Sequence, residues 1–185
     1  GYLYLQQGDI LQAEQYFLEA LNATKNISTT EEVENYTFDL YSLYDIYKTS
    51  GNFQLAKQYI QQLLQYQKKH LGEHHPDYLN TLQDIAKLYL YFGDHENAEK
   101  YYFNLLTLRD KNKNENDIEY VITLLQIGEL YYEKSNYALA EDYFLRVQKA
   151  IDLKDENYVT IYATLLNDLA DLYADKGDYN LAIDC

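Results

Sequence analysis

The sequence contains one cysteine, one proline and seven glycines, and it has neither methionine nor tryptophan. The single cysteine excludes an internal disulfide, so nothing in the chain requires an oxidising compartment and we expect a cytoplasmic protein. The shortage of proline and glycine argues against folds that need many tight turns, such as β-sandwiches and barrels. Because leucine, alanine, glutamine, glutamate and lysine are abundant and favour helices, the composition predicts an all-α fold.

Basic residues and long apolar runs are also scarce. Lys and Arg number 15 against 30 Asp and Glu, so the formal net charge is -15. This charge repels phosphate groups, which disfavours binding to nucleic acid and to anionic lipid. No apolar segment approaches the roughly 18 residues that a membrane-spanning helix needs. The sequence therefore predicts partners that are neither nucleic acid nor membrane.

The two ends of the sequence carry no targeting signal. The 185 residues begin with Gly1 rather than methionine and end with Cys185 inside a helical pattern. We interpret the chain as a segment of a longer protein, because neither end shows a natural start or stop. Its length is enough for one domain or a short solenoid.

A pattern of Tyr, then Gly four residues later and Ala nine residues later, occurs five times along the chain. The tyrosines are 43 residues apart once and 42 residues apart three times; they are Tyr4, Tyr47, Tyr89, Tyr131 and Tyr173. A small residue three positions before the tyrosine and a bulky one thirteen positions after it recur in the same register. Tyr44 is the exception at the small position, and Ser135 replaces the glycine in the fourth copy. This register indicates tandem structural repeats.

Each copy has the features of two antiparallel helices. Apolar residues before the repeat tyrosine recur three and four positions apart, as they do on one face of a helix. The glycine permits the left-handed conformation that ends a helix, and the Asp or Asn after it can cap the next one. Small residues allow close packing within a pair, and stacked neighbours must cover the remaining apolar surface. The sequence predicts an α-solenoid of about four to five helix pairs, the terminal ones truncated.

The repeat register also predicts where the helices lie. First helices are expected near residues 1–7, 31–50, 76–92, 115–134 and 156–176, and second helices near 9–22, 52–69, 94–110, 136–151 and 178–185. Ser28 with Glu31 resembles a capping box for the second unit, and Pro76 suits a first helical turn. No linker interrupts the pattern. We therefore expect one array over 1–185, with repeats at 1–27 (partial), 28–70, 71–112, 113–154 and 155–185 (partial).

The order of small residue, leucine-rich helix, Tyr, Gly, aromatic residue and Ala resembles the tetratricopeptide repeat. The usual period of that repeat is about 34 residues. Here the period is 42 residues and the third copy opens with His75-Pro76-Asp77, which resembles the longer repeat of the kinesin light chain type. HEAT and armadillo arrays have comparable periods but are not expected to keep this spacing of Tyr, Gly and Ala. The resemblance covers essentially the whole chain and implies a right-handed α-solenoid.

No arrangement typical of catalysis or metal binding is recognisable in the sequence. His70, His74 and His75 lie in one predicted loop, but no cysteine is near them and no helical histidine pair joins a carboxylate. Phosphate loops, nucleophile elbows and redox motifs do not occur. We therefore expect no enzymatic activity, no metal and no cofactor.

The resemblance implies that the first helices line a concave, peptide-binding surface. Positions six, five and two before the repeat tyrosine, and one or two after it, would face that surface, where Lys48 and Asp175 would also lie. The expected contact residues are Tyr41, Ser42, Asp45, Gln83, Asp84, Lys87, Gln126, Glu129, Glu133, Asn167, Asp168 and Asp171. Their carboxylates favour a Lys- or Arg-rich partner segment, and their amides can hold a peptide backbone. The alternative is that the acidity serves only solubility.

The expected function is that of a non-catalytic interaction module that binds a peptide or helical segment of another protein. Two alternatives stay open at this point. The array could be a sensory or regulatory arm that controls an attached effector domain, or it could be a peptide-pheromone-type receptor. Exposed terminal repeats would also allow a homo-oligomer. These expectations depend on analogy with the resembling family.

Overall fold

A computed structural model describes residues 2–23, 29–111 and 118–184, and these residues contain ten α-helices and no strand. The helices are α1 (Tyr2–Gln7), α2 (Ile10–Ala23), α3 (Thr30–Thr49), α4 (Phe53–His70), α5 (Pro76–Tyr91), α6 (His95–Lys111), α7 (Ile118–Glu133), α8 (Tyr137–Ala150), α9 (Val159–Lys176) and α10 (Tyr179–Asp184). A 3-10 turn at Glu156–Tyr158 precedes α9. The all-α prediction is confirmed, and the predicted helix boundaries agree to within three residues where they are described.

The chain divides into two compact units, Gly1–Leu88 and Tyr89–Cys185. In the first unit α3 packs against α2 and α4; in the second, α7 packs against α6 and α8, and α9 against α8 and α10. Facing apolar stripes form the core of each unit, for example Leu43 and Ile60 in the first and Ile127 and Phe144 in the second. None of the described helices combines the length and the apolarity that crossing a bilayer requires.

The turn between paired helices is closed by the same hydrogen bond in every copy. The backbone N–H of the residue after the turn donates to the carbonyl of the repeat tyrosine over 2.8–2.9 Å, in the pairs Asp9–Tyr4, Asn52–Tyr47, Asp94–Tyr89, Asn136–Tyr131 and Asp178–Tyr173. The residue before each donor has a left-handed backbone, with φ of 56° at Ser135 and 75–81° at the four glycines. This geometry ends a helix and confirms the predicted turns.

Side-chain caps start the second helices where the sequence predicts them. Asp9, Asn52, Asp94 and Asn136 each accept a hydrogen bond from the backbone N–H three residues later, over 3.1–3.3 Å. Each bond satisfies an N–H group that has no acceptor within its helix. The chain therefore reverses at the same place in each of these copies.

The predicted capping box of α3 is wrong by one residue. Ser28 lies outside the described residues, and the box is formed by Thr29 and Glu32. The Thr29 hydroxyl accepts from the Glu32 N–H over 3.2 Å, and the Glu32 carboxylate accepts from the Thr29 N–H over 2.9 Å. The sequence allows two overlapping registers, and α3 begins at Thr30, which selects the later one.

A second tyrosine column stabilises the helix pairs. The repeat tyrosine stacks on the tyrosine twelve positions later, with ring centroids 5.2–5.7 Å apart and interplanar angles of 9–21°, in the pairs Tyr4–Tyr16, Tyr47–Tyr59, Tyr89–Tyr101 and Tyr131–Tyr143. Such stacks add about 0.5–1.5 kcal/mol beyond the burial of area. The column was visible in the sequence at the same 42-residue period, but the sequence analysis missed it.

Hydroxyl groups of the repeat tyrosines also join neighbouring repeats. Tyr131 donates to Glu99 over 2.9 Å and Tyr173 to Glu141 over 3.1 Å, and Tyr47 donates to Glu14 in the first unit. In the second unit, a lysine three residues after the tyrosine donates to the same carboxylate: Lys134 to Glu99 and Lys176 to Glu141. The ring of the repeat tyrosine therefore stacks within its own helix pair, while its hydroxyl contacts the preceding repeat.

Candidate functional site

Half of the predicted binding residues lie in the first unit, on α3 and α5. They are Tyr41, Ser42 and Asp45 on α3, and Gln83, Asp84 and Lys87 on α5. Tyr41, Asp45 and Lys87 are exposed and Asp84 is half-buried, whereas Ser42 and Gln83 are buried. The Tyr41 hydroxyl lies near the Asp84 carboxylate, within reach of a hydrogen bond between the two helices. The structure thus brings Tyr41 and Asp84 together and places Ser42 and Gln83 beneath the surface.

Partial removal from water shifts the pKa of both members of this pair. Burial raises the pKa of Tyr41 to about 12, and the negative charge of Asp84 adds to the effect. Burial also raises the pKa of Asp84, although Lys87, the hydrogen bond from Tyr41, and Lys48 oppose the shift. A carboxylate that has lost part of its hydration shell is stabilised when a cation or an N–H donor approaches it.

A cleft of about 480 Å³ opens beside Tyr41 and Asp84. It lies within the first unit and is lined by Glu34, Thr37, Phe38, Tyr41, Leu63, Gln67, Asp77, Asn80, Thr81 and Asp84. The described lining residues include three carboxylates and no basic side chain. Its size is that of a small-molecule or side-chain pocket, for which about 300–1,000 Å³ is typical.

Gln67 forms part of the wall of this cleft and carries a buried acceptor. The residue is 5% exposed, and its Oε1 is buried with no hydrogen-bond partner among the described residues. An unsatisfied buried carbonyl oxygen costs about 1–3 kcal/mol, which a bound N–H donor would recover. Gln67 is not among the predicted binding residues because those lie on first helices, whereas Gln67 lies on α4. A signal was present, since Gln67 continues the apolar stripe of Ile60 and Leu63 on α4 at a position where a core residue is expected.

The other predicted binding residues lie in the second unit, on α7 and α9. They are Gln126, Glu129 and Glu133 on α7, and Asn167, Asp168 and Asp171 on α9. Gln126 is buried, Glu129 and Asp168 are half-buried, and the other three are exposed. Asp168 has a buried Oδ2 without a hydrogen-bond partner among the described residues. Burial, and then the charge of Asp171, raises the pKa of Asp168 to about 6.

A tyrosine outside the predicted set connects α7 and α9. The Tyr132 hydroxyl donates to Asp175 over 2.7 Å, and this bond is the main reason that the pKa of Tyr132 rises to about 12. Tyr132 lies one residue after the repeat tyrosine, which is a position that the resemblance had already assigned to the inner surface. Tyr41 with Asp84 and Tyr132 with Asp175 are therefore two examples of a tyrosine on one first helix that lies beside a carboxylate on the next.

The three clustered histidines do not form a metal site with their neighbours. Among the residues that the structure describes, no group of three His, Cys, Asp or Glu side chains is arranged to hold a metal ion. His70 stacks on Tyr66 with ring centroids 4.3 Å apart, and the His75 Nδ1 lies 3.7 Å from the Asp77 carboxylate. These contacts fit structural roles at the junction between α4 and α5.

Comparison with known families matches two stretches of the chain, residues 1–27 and 36–110, each to a model described as tetratricopeptide repeat. Together the two stretches cover more than half of the 185 residues. The chain belongs to the tetratricopeptide repeat family. Tetratricopeptide repeats are protein–protein interaction modules that are generally non-catalytic, so membership implies that the chain acts by binding protein or peptide.

Solved tetratricopeptide structures share this fold at low sequence identity. BtubC (BKLC) from P. vanneervenii is 19% identical, with a TM-score of 0.78 over 99% of this chain and 72% of that one. A Podosopora anserina protein with nearly identical kinesin light chain TPR-like repeats is 16% identical, with a TM-score of 0.73 over 99% and 86% of the two chains. A Rap protein complexed with competence and sporulation factor is 17% identical, with a TM-score of 0.69 over 100% and 49%. No curated protein sequence matches significantly. The fold is thus an all-α solenoid, as the sequence predicts.

Proposed function

We propose that this chain is a non-catalytic interaction module that binds an extended or helical segment of another protein on the first-helix surfaces of its repeats. The observation that carries the proposal is the cleft in the first unit, where Gln67 Oε1 is buried without a partner beside the half-buried Asp84. Buried polar groups in a solenoid that served only as a spacer would be paired or replaced by apolar residues. A bound segment would supply the missing donors.

The charge of these surfaces supports a partner segment that carries Lys or Arg. Asp45 and Asp84 on the first unit, and Asp168 and Asp171 on the second, are exposed or half-buried carboxylates. Contacts between exposed charges are screened over about 10 Å at 0.1 M salt, so affinity should fall as salt rises. The shared fold with a Rap protein that is complexed with competence and sporulation factor supports a peptide as the ligand class.

The experiment is a selection of peptides from a random twelve-residue library on the whole chain, followed by affinity measurements. Reversing Asp168 and Asp171 to lysine should slow association, since surface charges steer encounter more than they stabilise the fold. The matched control reverses Glu96 and Asp142, two exposed carboxylates on second helices, to lysine. Selected peptides that bind all three proteins equally, and that also tolerate Tyr41→Ala and Asp84→Asn, would refute the proposal. If the selected peptide is uncharged and its affinity does not change with salt, only the proposed preference for Lys or Arg would be refuted.

A second candidate function is a regulatory arm, in which peptide binding controls an effector domain attached to the repeats. The similarity to a peptide-complexed Rap protein favours this candidate over a passive scaffold. Fusing a reporter domain to either end of the chain and measuring its activity with and without a selected peptide tests it. Cytoplasmic location and homo-oligomerisation stay predictions that fractionation and sedimentation can check.

A further inference from the structure

A buried arginine in the second unit shows which chemical group the cleft in the first unit can hold. Arg109 on α6 is 2% exposed, although it carries a full positive charge. Its guanidinium donates to the backbone carbonyl of Glu119 over 2.7 Å, to the Glu119 carboxylate over 2.9 Å and to the Thr123 hydroxyl. Both acceptor residues lie on α7, the first helix of the following repeat. The burial is tolerated because both terminal nitrogens of the guanidinium donate to acceptors on that helix.

The equivalent residues one repeat earlier carry the acceptors without the arginine. Moving back by the 42-residue period leads from Arg109, Glu119 and Thr123 to Gln67, Asp77 and Thr81. All three of these residues line the cleft in the first unit. Asp77 keeps the carboxylate and Thr81 keeps the hydroxyl, while Gln67 is shorter than arginine and has no charge. The shorter side chain leaves space, and its Oε1 has no donor.

We infer that this cleft binds an arginine side chain of the partner segment, with its guanidinium between Asp77, Thr81 and the Oε1 of Gln67. The inference rests on the proposed function, because it names one contact residue of the segment that the chain binds. The bound guanidinium would make the contacts that Arg109 makes in the next repeat. Glu34 and Asp84 add negative charge to the lining, and among the described residues the lining contains no Lys or Arg.

The walls of the cleft fit a guanidinium better than an ammonium group. A guanidinium is planar, carries five N–H donors and is weakly hydrated, so it enters part-apolar clefts and packs on aromatic rings. Phe38, Tyr41 and Leu63 supply such walls, and the acceptors come from α4 and α5. A lysine ammonium is compact and strongly hydrated, and it would satisfy fewer of these dispersed acceptors. The cleft should therefore discriminate arginine from lysine as well as from uncharged side chains.

The first test uses a small probe and does not depend on finding a partner. Nα-acetyl-arginine methylamide is titrated into the whole chain, and backbone amide signals are followed by NMR. We expect shifts centred on residues that line the cleft, and an affinity about tenfold or more above those of the citrulline and lysine analogues. Asp77→Asn should weaken probe binding about tenfold, whereas Asp142→Asn, an exposed carboxylate on α8, should leave it unchanged. Equal binding of the arginine and citrulline probes would overturn the inference.

The second test supplies the guanidinium from the chain itself. Gln67→Arg should raise Tm and abolish probe binding, because the new side chain takes the acceptors that the probe needs. Adding Asp77→Asn to Gln67→Arg should remove the gain in Tm. The control is Gln67→Met, which is similar in length to glutamine and has no guanidinium. The Tm of Gln67→Met should not depend on Asp77 in this way. A Gln67→Arg protein that is folded and still binds the arginine probe would overturn the inference.

The two proposals fail in different ways. Library peptides that bind the first-helix surfaces without an arginine, together with no response to the arginine probe, would overturn the arginine pocket and leave the binding module intact. An arginine probe that shifts the cleft signals while no library peptide binds would support the pocket and count against the binding module.

Discussion

Gly128 on α7 leaves no room for a side chain where this helix crosses α8. A Cβ built on Gly128 would lie 2.5 Å from Cε1 of Phe144, whose ring is fully buried. Gly128→Ala should therefore lower the free energy of unfolding by about 1–3 kcal/mol, despite the better helix propensity of alanine. Urea denaturation measures the change. Adding Phe144→Leu should recover part of the loss, and an unchanged stability of the single variant would contradict this close crossing.

Ser135 adopts a backbone conformation that suits glycine. Its φ is 56°, and glycine occupies the same turn position in the other four copies. Ser135→Gly should raise the free energy of unfolding by about 0.4–1 kcal/mol, because the left-handed conformation is strained for a residue with a Cβ. The converse change Gly93→Ser, at φ 76° with no atom near the new Cβ, should lower it by a similar amount. A clear loss of stability in Ser135→Gly is the contradictory result in thermal denaturation.

Asp168 makes stability depend on pH in a definite direction. Its pKa rises from an ordinary value of 3.8 to about 6 in the folded chain, so the folded state binds the proton more tightly than the unfolded state does. The folded chain should therefore lose stability as pH rises from about 4 to about 6. Asp168→Asn should raise the free energy of unfolding at pH 7 by about 1 kcal/mol, less than the full shift implies because the carboxyl is partly exposed. This advantage should vanish near pH 4.

The control for this pH dependence is Asp142→Asn, which removes an exposed carboxylate from α8. Its effect on stability should be small at both pH values, since an exposed charge contributes little to folding. Denaturation curves of both variants at pH 4 and pH 7 make the comparison. If the stabilities of Asp168→Asn and Asp142→Asn respond identically to pH, burial of Asp168 does not cause the pH dependence of stability.

At the scale of helices, the Glu99 carboxylate on α6 makes one of the hydrogen-bonded contacts with α7. Glu99 accepts from the Tyr131 hydroxyl and from Lys134, and these bonds lower its pKa despite partial burial. Tyr131→Phe should lower the free energy of unfolding at pH 7 by about 1 kcal/mol, since a bond to a charged group is lost. Because the folded-state pKa is depressed, the stabilisation is present at neutral pH and disappears as acid protonates Glu99. The difference between wild type and Tyr131→Phe should therefore shrink in acid.

Tyr162→Phe provides the matched control for Tyr131→Phe, because it removes a tyrosine hydroxyl from α9 within the same unit. Its effect should be smaller and independent of pH. Equal losses in the two variants would show that the Glu99 contact does not stabilise the α6 and α7 packing.

At the scale of several repeats, neighbouring helix pairs within the second unit pack against each other, α7 on α6 and α9 on α8. Deletion of residues 152–185, which removes α9 and α10, should leave a remainder that unfolds cooperatively at a lower temperature. Deletion of residues 136–185 is the control, since it also removes α8 and exposes the apolar face of α7 that Phe144 covers. The second deletion should lower the unfolding temperature of the remainder far more than the loss of sixteen further residues would by itself. Circular dichroism monitors the unfolding of both remainders. Loss of all cooperative unfolding after the first deletion would contradict a solenoid.

Local features of this chain were predictable from its sequence. The five turns, the caps at Asp9, Asn52, Asp94 and Asn136, and the helix boundaries follow from hydrogen bonds between residues a few positions apart. The 42-residue period then repeats these local features, so one correct register places all the helices. The misplaced capping box shows the limit of this reasoning, because two overlapping motifs satisfy the same pattern and only the first residue of α3 decides between them.

Only the tertiary structure decided which polar residues are available to a partner. Ser42, Gln83 and Gln126 occupy positions assigned to the binding surface but are buried, because neighbouring helices approach closely enough to cover them. The cleft is formed by side chains from three helices, α3, α4 and α5, with Gln67 in its wall. Burial and cavity volume arise from distances between residues far apart in sequence, and periodicity along one helix does not specify those distances. The sequence therefore determined the repeats, and packing between helices determined the geometry of the candidate site.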